Sequence, residues 1–265
     1  MDDHEDPLDW QGRPVDCASC PHRAWLEQGA CERGKVCVRD RRGSRIERFF
    51  KSHPELNESG LNDPYFLVRA IAARHASLFR LPALVDDPDA DVRAVLAERL
   101  PQRFVLKLRN DVDPRVRIAA ATRLEHGALL QMTSDPDYYV RVVVARRLAS
   151  DALPVLMCDP VVDVRLEVAR RIGKEWLVSM AWDEDVAIRL VVAERLDELQ
   201  LAVLATDSDW RVRHAVVERI APVLLAQFLN DPEEDVREVA RRRFAQHLSS
   251  TETRQDPANG GEFDA

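Results

Sequence analysis

Arginine occupies positions 69, 93, 117, 141, 165, 189, 213 and 237, seven successive intervals of 24 residues without an insertion or deletion. A period held that strictly calls for near-identical units stacked on one another, each completing the core of its neighbours. Other columns agree. Aspartate recurs at 63, 87, 111, 135, 159, 183, 207 and 231, and the residue before each arginine is β-branched, from Val68 and Val92 to Ile188 and Val236. A second arginine column runs 99, 123, 147, 171, 195, 219 and 243, each followed by an apolar residue such as Leu100, Ile172 or Phe244.

Each row reads as two helical pieces. Val92, Val95, Leu96 and Leu100 fall at i, i+3, i+4 and i+8, one face of a helix. Asp-Pro at 63, 87, 135, 159 and 231 suits a helix start, the carboxylate taking orphan N–H groups and proline tolerating the first turn. The second piece, around Leu81 to Val85 in the first row, is about eight residues long, so the spacing predicts a short α or 3₁₀ helix held by packing. Strict alternation of apolar and polar residues is absent, and glycines (nine) and aromatics (6%) are few, so no sheet is expected. The fold class is an all-α solenoid of about eight repeats over 63–247. A cysteine domain at 1–52 and a linker at 53–62 precede it, and a disordered polar tail is expected at 248–265.

Composition narrows the function. A content of 46% hydrophobic and 32% charged residues fits a soluble folded chain, and a net charge of −8 gives no global attraction to nucleic acid. No apolar run approaches the roughly 20 residues of a membrane span. The N-terminus, Met1-Asp2-Asp3-His4-Glu5-Asp6, is acidic and lacks the apolar segment of a secretory signal, which leads to a cytoplasmic expectation. Thiols stay reduced there, and clustered cysteines bind metal more often than they pair.

Aspartate and arginine stand six residues apart in every row. One reading is an arginine surface for phosphates or acidic partners. The favoured reading is a ladder in which each guanidinium bonds the carboxylate and the helix-end carbonyls of an adjacent turn. Bidentate pairing suits arginine, and no lysine enters the column. The chain from Asp63 onward holds 28 basic and 34 acidic residues, which argues further against a nucleic-acid surface.

Cys17, Cys20, Cys31 and Cys37 form Cys-x2-Cys-x10-Cys-x5-Cys, with Pro21 after the second. Four thiolates can hold a tetrahedral zinc ion or a [4Fe-4S] cluster, and both stay open on spacing alone. The uneven gaps favour the cluster. Residues 33–51 carry eight basic and two acidic side chains, whose positive charge is expected to offset an anionic cluster and keep the thiols ionised. Arg41, Arg42 and Arg45 in that stretch could alternatively meet nucleic acid or an acidic partner. His22 and His53 read as surface histidines rather than ligands, Cys158 as a tolerated small residue, and Trp176, Trp182 and Trp210 as core or edge packing.

The repeat Asp-Pro…Val-Arg…Ala-x-Arg-Leu, joined to this cysteine pattern, resembles the leucine-rich repeat variant proteins of nitrogen-fixing bacteria over about 15–244. The resemblance implies alternating α and 3₁₀ helices in a right-handed superhelix. It also implies a [4Fe-4S] cluster on Cys17, Cys20, Cys31 and Cys37. It implies no reaction. Departures are mild: Asp111-Val112, Asp183-Glu184 and Asp207-Ser208 replace Asp-Pro, and Arg241 replaces the repeat alanine in the last turn. The expected function is an iron–sulfur repeat scaffold for an unidentified protein partner, redox-linked and related to nitrogen fixation. The alternative is a nucleic-acid-binding protein resembling HEAT-repeat proteins that carry such clusters. No catalytic constellation is visible, so an enzyme is not expected.

Overall fold

The structure, a computed structural model, describes residues 7–252. The acidic N-terminus read at 1–6 and the tail beyond 252 lie outside the described residues. The chain divides into two compact units, 1–147, which holds the cysteine region and the first repeats, and 148–265, which holds the later repeats. The cysteine region therefore does not stand apart; it is continuous with the first repeats. Among the described residues there is no strand, only two isolated bridges, Leu8 with Pro14 and Glu32 with Val36. Among the described residues no helix is long and apolar enough to cross a membrane.

The first helix of each row lies where the apolar columns require. In the first unit Phe66–His75, Ala90–Arg99, Pro114–Ala121 and Tyr138–Arg147 pack in succession. In the second, Val162–Arg171, Val186–Arg195, Trp210–Val217 and Glu234–Glu252 do the same. The β-branched column from Val68 to Val236 is at most 1% exposed. At about 1.5–3 kcal/mol for each fully buried Val or Leu, these columns supply the main attraction between neighbours. The second pieces are short, as predicted, and mix two helix types. Leu81–Leu84 and Leu153–Leu156 are 3₁₀, Gln102–Leu108 is α, and His126–Leu129 runs on as 3₁₀ through Leu130–Met132. Their first apolar column, Leu81 to Leu225, is fully buried.

The ladder forms. Nε and Nη2 of Arg69, Arg93 and Arg117 bind both carboxylate oxygens of Asp87, Asp111 and Asp135 in the next repeat. Arg165, Arg189 and Arg213 do so with Asp183, Asp207 and Asp231. Distances run 2.6–3.0 Å. Each Nη1 donates to the carbonyl of its own repeat's aspartate, as Arg69 does to Asp63 at 2.9 Å. The pairs are buried, with arginine side chains 7–13% and aspartates 4–8% exposed.

The aspartate column has a different local job from the one expected. Its carboxylate accepts from the N–H two residues on, as Asp87 does from Asp89, and makes a turn. The helix starts later, and its cap is the next acid along: Asp89 accepts from Asp91, Asp113 from Arg115, Asp185 from Ala187 and Asp209 from Arg211. The second arginine column also has a structural task. Arg195 donates to the Ala169 and Ile172 carbonyls at 2.6 and 2.8 Å, and Arg219 to Ala193 and Leu196. Each such arginine thus caps the carbonyl end of the preceding helix, where the dipole favours a cation.

Three expectations change. Residues 53–62 are packed structure rather than a linker: Pro54–Leu56 and Ser59–Asn62 are 3₁₀ helices, with His53, Asn57, Gly60 and Leu61 buried. Residues 248–252, placed in the tail, continue the helix Glu234–Glu252. Trp176, Trp182 and Trp210 are surface residues, 45%, 70% and 41% exposed.

Candidate metal centre

The cysteine module is built from short turns rather than regular elements. Asp16 accepts from Ala18 N–H at 2.8 Å and from Ser19, which holds its carboxyl below the usual range and shapes the turn that follows. In that turn Cys20 N–H reaches the Cys17 carbonyl at 3.4 Å. The helix Arg23–Glu27 follows, and Gly29, at φ 71°, reverses the chain in a conformation that favours glycine. Both Ala30 and Cys31 then donate to the Trp25 carbonyl. Cys37 N–H donates to the Arg45 carbonyl at 3.2 Å, and the N–H groups of Arg39 and Asp40 point at the Cys37 sulfur.

An aromatic stack braces this loop. Trp25 lies on His53 at 4.1 Å and on His22 at 4.9 Å, and Phe49 tilts against both histidines. His53 Nε2 donates to the Ala30 carbonyl at 2.8 Å, one residue before Cys31. His53 is therefore a buried strut, not the surface residue the sequence implied. His22 is half-buried, and burial lowers its pKa, with His53 and Arg39 adding to the effect.

All four cysteines line one cavity, with Phe49 and Val15 in its wall and Arg23, Arg33 and Arg39 among its lining. Cys158 is exposed and far along the chain in the other unit, as expected of a residue outside the centre. Burial raises the Cys31 pKa, and the Cys20 and Cys17 charges raise it further. Burial likewise pushes Cys37 up to about 11, against the two N–H bonds to its sulfur. At Cys31 and Cys37 the neighbouring basic side chains do not offset burial. Much of the basic segment's charge is neutralised locally. Arg45 is fully buried on Asp40, Nη1 to Oδ2 at 2.8 Å, while Lys35 pairs with Glu32 and Lys51 with Glu47. A bound cation reverses the balance, because its charge stabilises thiolates that burial disfavours.

The residues fit a cluster. Four sulfurs share a cavity of about 370 Å³, counted to its open mouth. Yet among the described residues no three His, Cys, Asp or Glu side chains meet closely enough to hold a single ion. Zinc, at about 2.3 Å from each sulfur, demands such convergence. A cluster presents separate irons to separate thiolates and accepts a wider set.

Comparison with known proteins agrees on both halves. The family described as "LRV protein FeS4 cluster" matches residues 7–59, so an iron–sulfur cluster is the group the family implies for this module. An uncharacterised 27.7 kDa protein in the nifB 3′ region of Rhodobacter capsulatus is 47% identical over 89 residues. That match spans 34% of this chain and only 36% of the relative. A solved structure described as a leucine-rich repeat variant with a novel repetitive structural motif matches at 38% identity and a TM-score of 0.81. It covers 86% of this chain and 98% of the solved one. With cysteine module and repeats both accounted for at that identity, the chain belongs to the leucine-rich repeat variant family.

Proposed function

We propose that the protein is a binding scaffold whose N-terminal module holds a [4Fe-4S] cluster on Cys17, Cys20, Cys31 and Cys37. The observation that carries the reading is the single cavity that all four cysteines line, none of them beyond half-buried and one already receiving two N–H bonds on its sulfur. Hydrogen bonds to sulfur and partial solvent access are what tune such a group. When bound, the cluster supplies a one-electron centre near the surface; the chain's part is to hold it, shield it and present it. The repeats offer the partner surface. In the second unit Val155, Trp176, Trp182, Leu199, Val203 and Val223 are apolar side chains open to contact. The partner is a cytoplasmic protein, and the role is binding rather than catalysis. The Rhodobacter relative in the nifB 3′ region supports a link to nitrogen fixation.

Anaerobic purification with iron and sulfide analysis, and mass spectrometry of co-purifying proteins, tests the reading. About four irons and four sulfides per chain are expected, falling sharply in Cys31→Ser and Cys37→Ser but not in Cys158→Ser. Stoichiometric zinc without sulfide would replace the cluster by the zinc alternative. A reversible midpoint potential is expected if the role is redox-linked, and recovery of no specific partner would overturn the scaffold.

A further inference from the structure

At its start the ladder leaves one aspartate without a rung. Asp63 opens the aspartate column, and Arg45, 24 residues before Arg69, occupies the register position that would serve it. Arg45 instead turns to Asp40 and is buried there. Among the described residues no arginine or lysine reaches Asp63 at ion-pair distance. Its Oδ1 accepts only the Tyr65 N–H, at 2.8 Å. The carboxylate is half-buried and lines a cavity of about 540 Å³, counted to its mouth. Arg39, exposed and likewise without a carboxylate at ion-pair distance, lines the same cavity. Phe49, Phe50, Leu56 and Val38 line it too. Along the ladder, the column acid and the column arginine that share a groove are closed on each other. The grooves lined by Arg93 with Asp111, by Arg165 with Asp183 and by Arg189 with Asp207 are of this kind. Here the column aspartate has no column arginine closed on it, and it faces the same cavity as Arg39.

We propose that this cavity binds a small zwitterion of the α-amino-acid class. The ligand's ammonium lies on Asp63, its carboxylate on Arg39, and an apolar side chain rests against Phe49, Phe50 and Leu56. The chemistry follows from the groups. A half-buried carboxylate without a cation has lost part of its hydration, and an ammonium restores the interaction the ladder supplies elsewhere. Burial raises the Asp63 pKa over the opposing effects of Tyr65 N–H, Arg39 and Arg69, in keeping with a carboxylate that lacks its counter-ion. The room inside the cavity proper is about 200 Å³, below the roughly 300–1,000 Å³ of drug-sized sites and suited to a ligand no larger than an amino acid. It shares His22, Val38, Arg39 and Phe49 with the cysteine cavity but none of the four cysteines, so the ligand sits beside the cluster without touching its ligands. The site requires neither the partner nor the redox role.

Calorimetric titration of the full-length, anaerobically purified protein tests this. The probes are L-leucine, isoamylamine, which lacks the carboxylate, and 4-methylpentanoate, which lacks the amine. L-leucine is expected to bind one to one, with each single-charge analogue at least about 10-fold weaker. Asp63→Asn, which keeps the Tyr65 turn, and Arg39→Gln should each weaken L-leucine by about 10-fold or more while circular dichroism and melting stay native. The remaining proteinogenic amino acids, each at about 10 mM, cover other side chains. Silence from all twenty overturns the proposal. So does equal binding of isoamylamine, or L-leucine affinity that both variants leave unchanged.

Discussion

Asp111 and Asp63 occupy the same column of the sequence and meet opposite environments. Asp111, inside the array, takes the Arg93 guanidinium on both oxygens, and although burial opposes it, that pairing holds its carboxyl below the ordinary range. Asp63, where the array meets the cysteine module, has no such partner, and burial raises its pKa. The contrast extends to whole regions. In the array one local rule repeats: an aspartate turn, a capped helix, and an arginine reaching into the next repeat. In the module nothing repeats, and residues that would be costly if left unsatisfied are enclosed: four thiols, a buried Arg45–Asp40 pair, and His53 under Trp25. Periodic structure is stabilised by its own neighbours. The module's core is small, centred on Ile46, Phe49 and Phe50, and its helix Gly43–Ser52 packs on the first repeat helix, Phe66–His75; a bound group would add to its stability.

The largest effect should come from breaking one rung. Arg117→Met removes the guanidinium that clamps Asp135 and strands a carboxylate 6% exposed. Losing one partner of a buried pair costs about 3–5 kcal/mol. Urea unfolding should show that loss, and Arg117→Met/Asp135→Leu should recover part of it, because replacing both partners by apolar groups removes the stranded charge. A single mutant within about 0.5 kcal/mol of wild type would mean that the rungs are no more than surface pairs.

That rung also marks what the sequence could reveal. The six-residue interval between Asp and Arg in every row was enough to expect a ladder, because arginine without lysine implies bidentate geometry. Pairing with an adjacent turn was expected, but not its direction, with Asp87 serving Arg69 of the repeat before, nor that the turn at Asp87 is closed by Asp89 N–H. The helix cap lies two residues further on, and Pro88 between the two acids makes the first look like the cap. The second arginine column was visible as a column but not as a helix-end cap, since its acceptors, Ala73 and Ala76 for Arg99, lie 26 and 23 residues back and are backbone. In the module the four cysteines were legible from spacing. The burial of Arg45 and His53 was not, because aperiodic turns give no angle from which to infer which side faces inward.

A smaller effect probes the seam between the two regions. Gly60 lies in the 3₁₀ turn Ser59–Asn62, and a Cβ there would come to 2.5 Å from Phe50 Cζ and 2.8 Å from Ala72 Cβ. One contact is a module ring and the other a repeat helix, so neither yields without moving the seam. Gly60→Ala should cost about 1–3 kcal/mol, the range for overpacking a tight site. Gly127, with nothing near its would-be Cβ, is the control, and Gly127→Ala should leave the melting temperature within a few degrees of wild type. Equal behaviour of the two variants would show that the module and the first repeat are not in close register.

The smallest effect carries the sharpest sign. A carboxyl with a depressed folded pKa stabilises the fold above its unfolded value, near 3.9, and loses that contribution as pH falls through the folded value. Asp111 and Asp231 are such groups, each lowered through an arginine of the preceding repeat with burial opposing. Asp63, whose folded pKa is raised by burial, works in reverse: its contribution is full below about 3.9 and is lost as pH rises through the folded value. Asp63→Asn removes that titration while leaving an acceptor for Tyr65 N–H. The melting temperature of Asp63→Asn should therefore equal or exceed that of wild type at pH 7, with the difference vanishing near pH 3.5, whereas Asp111→Asn should melt lower at pH 7 and converge on wild type in acid. Thermal melts of the three proteins across pH 3–8 read both signs at once. A loss at pH 7 in Asp63→Asn as large as in Asp111→Asn would mean that Asp63 has a counter-ion after all, and that the ladder runs unbroken into the cysteine module.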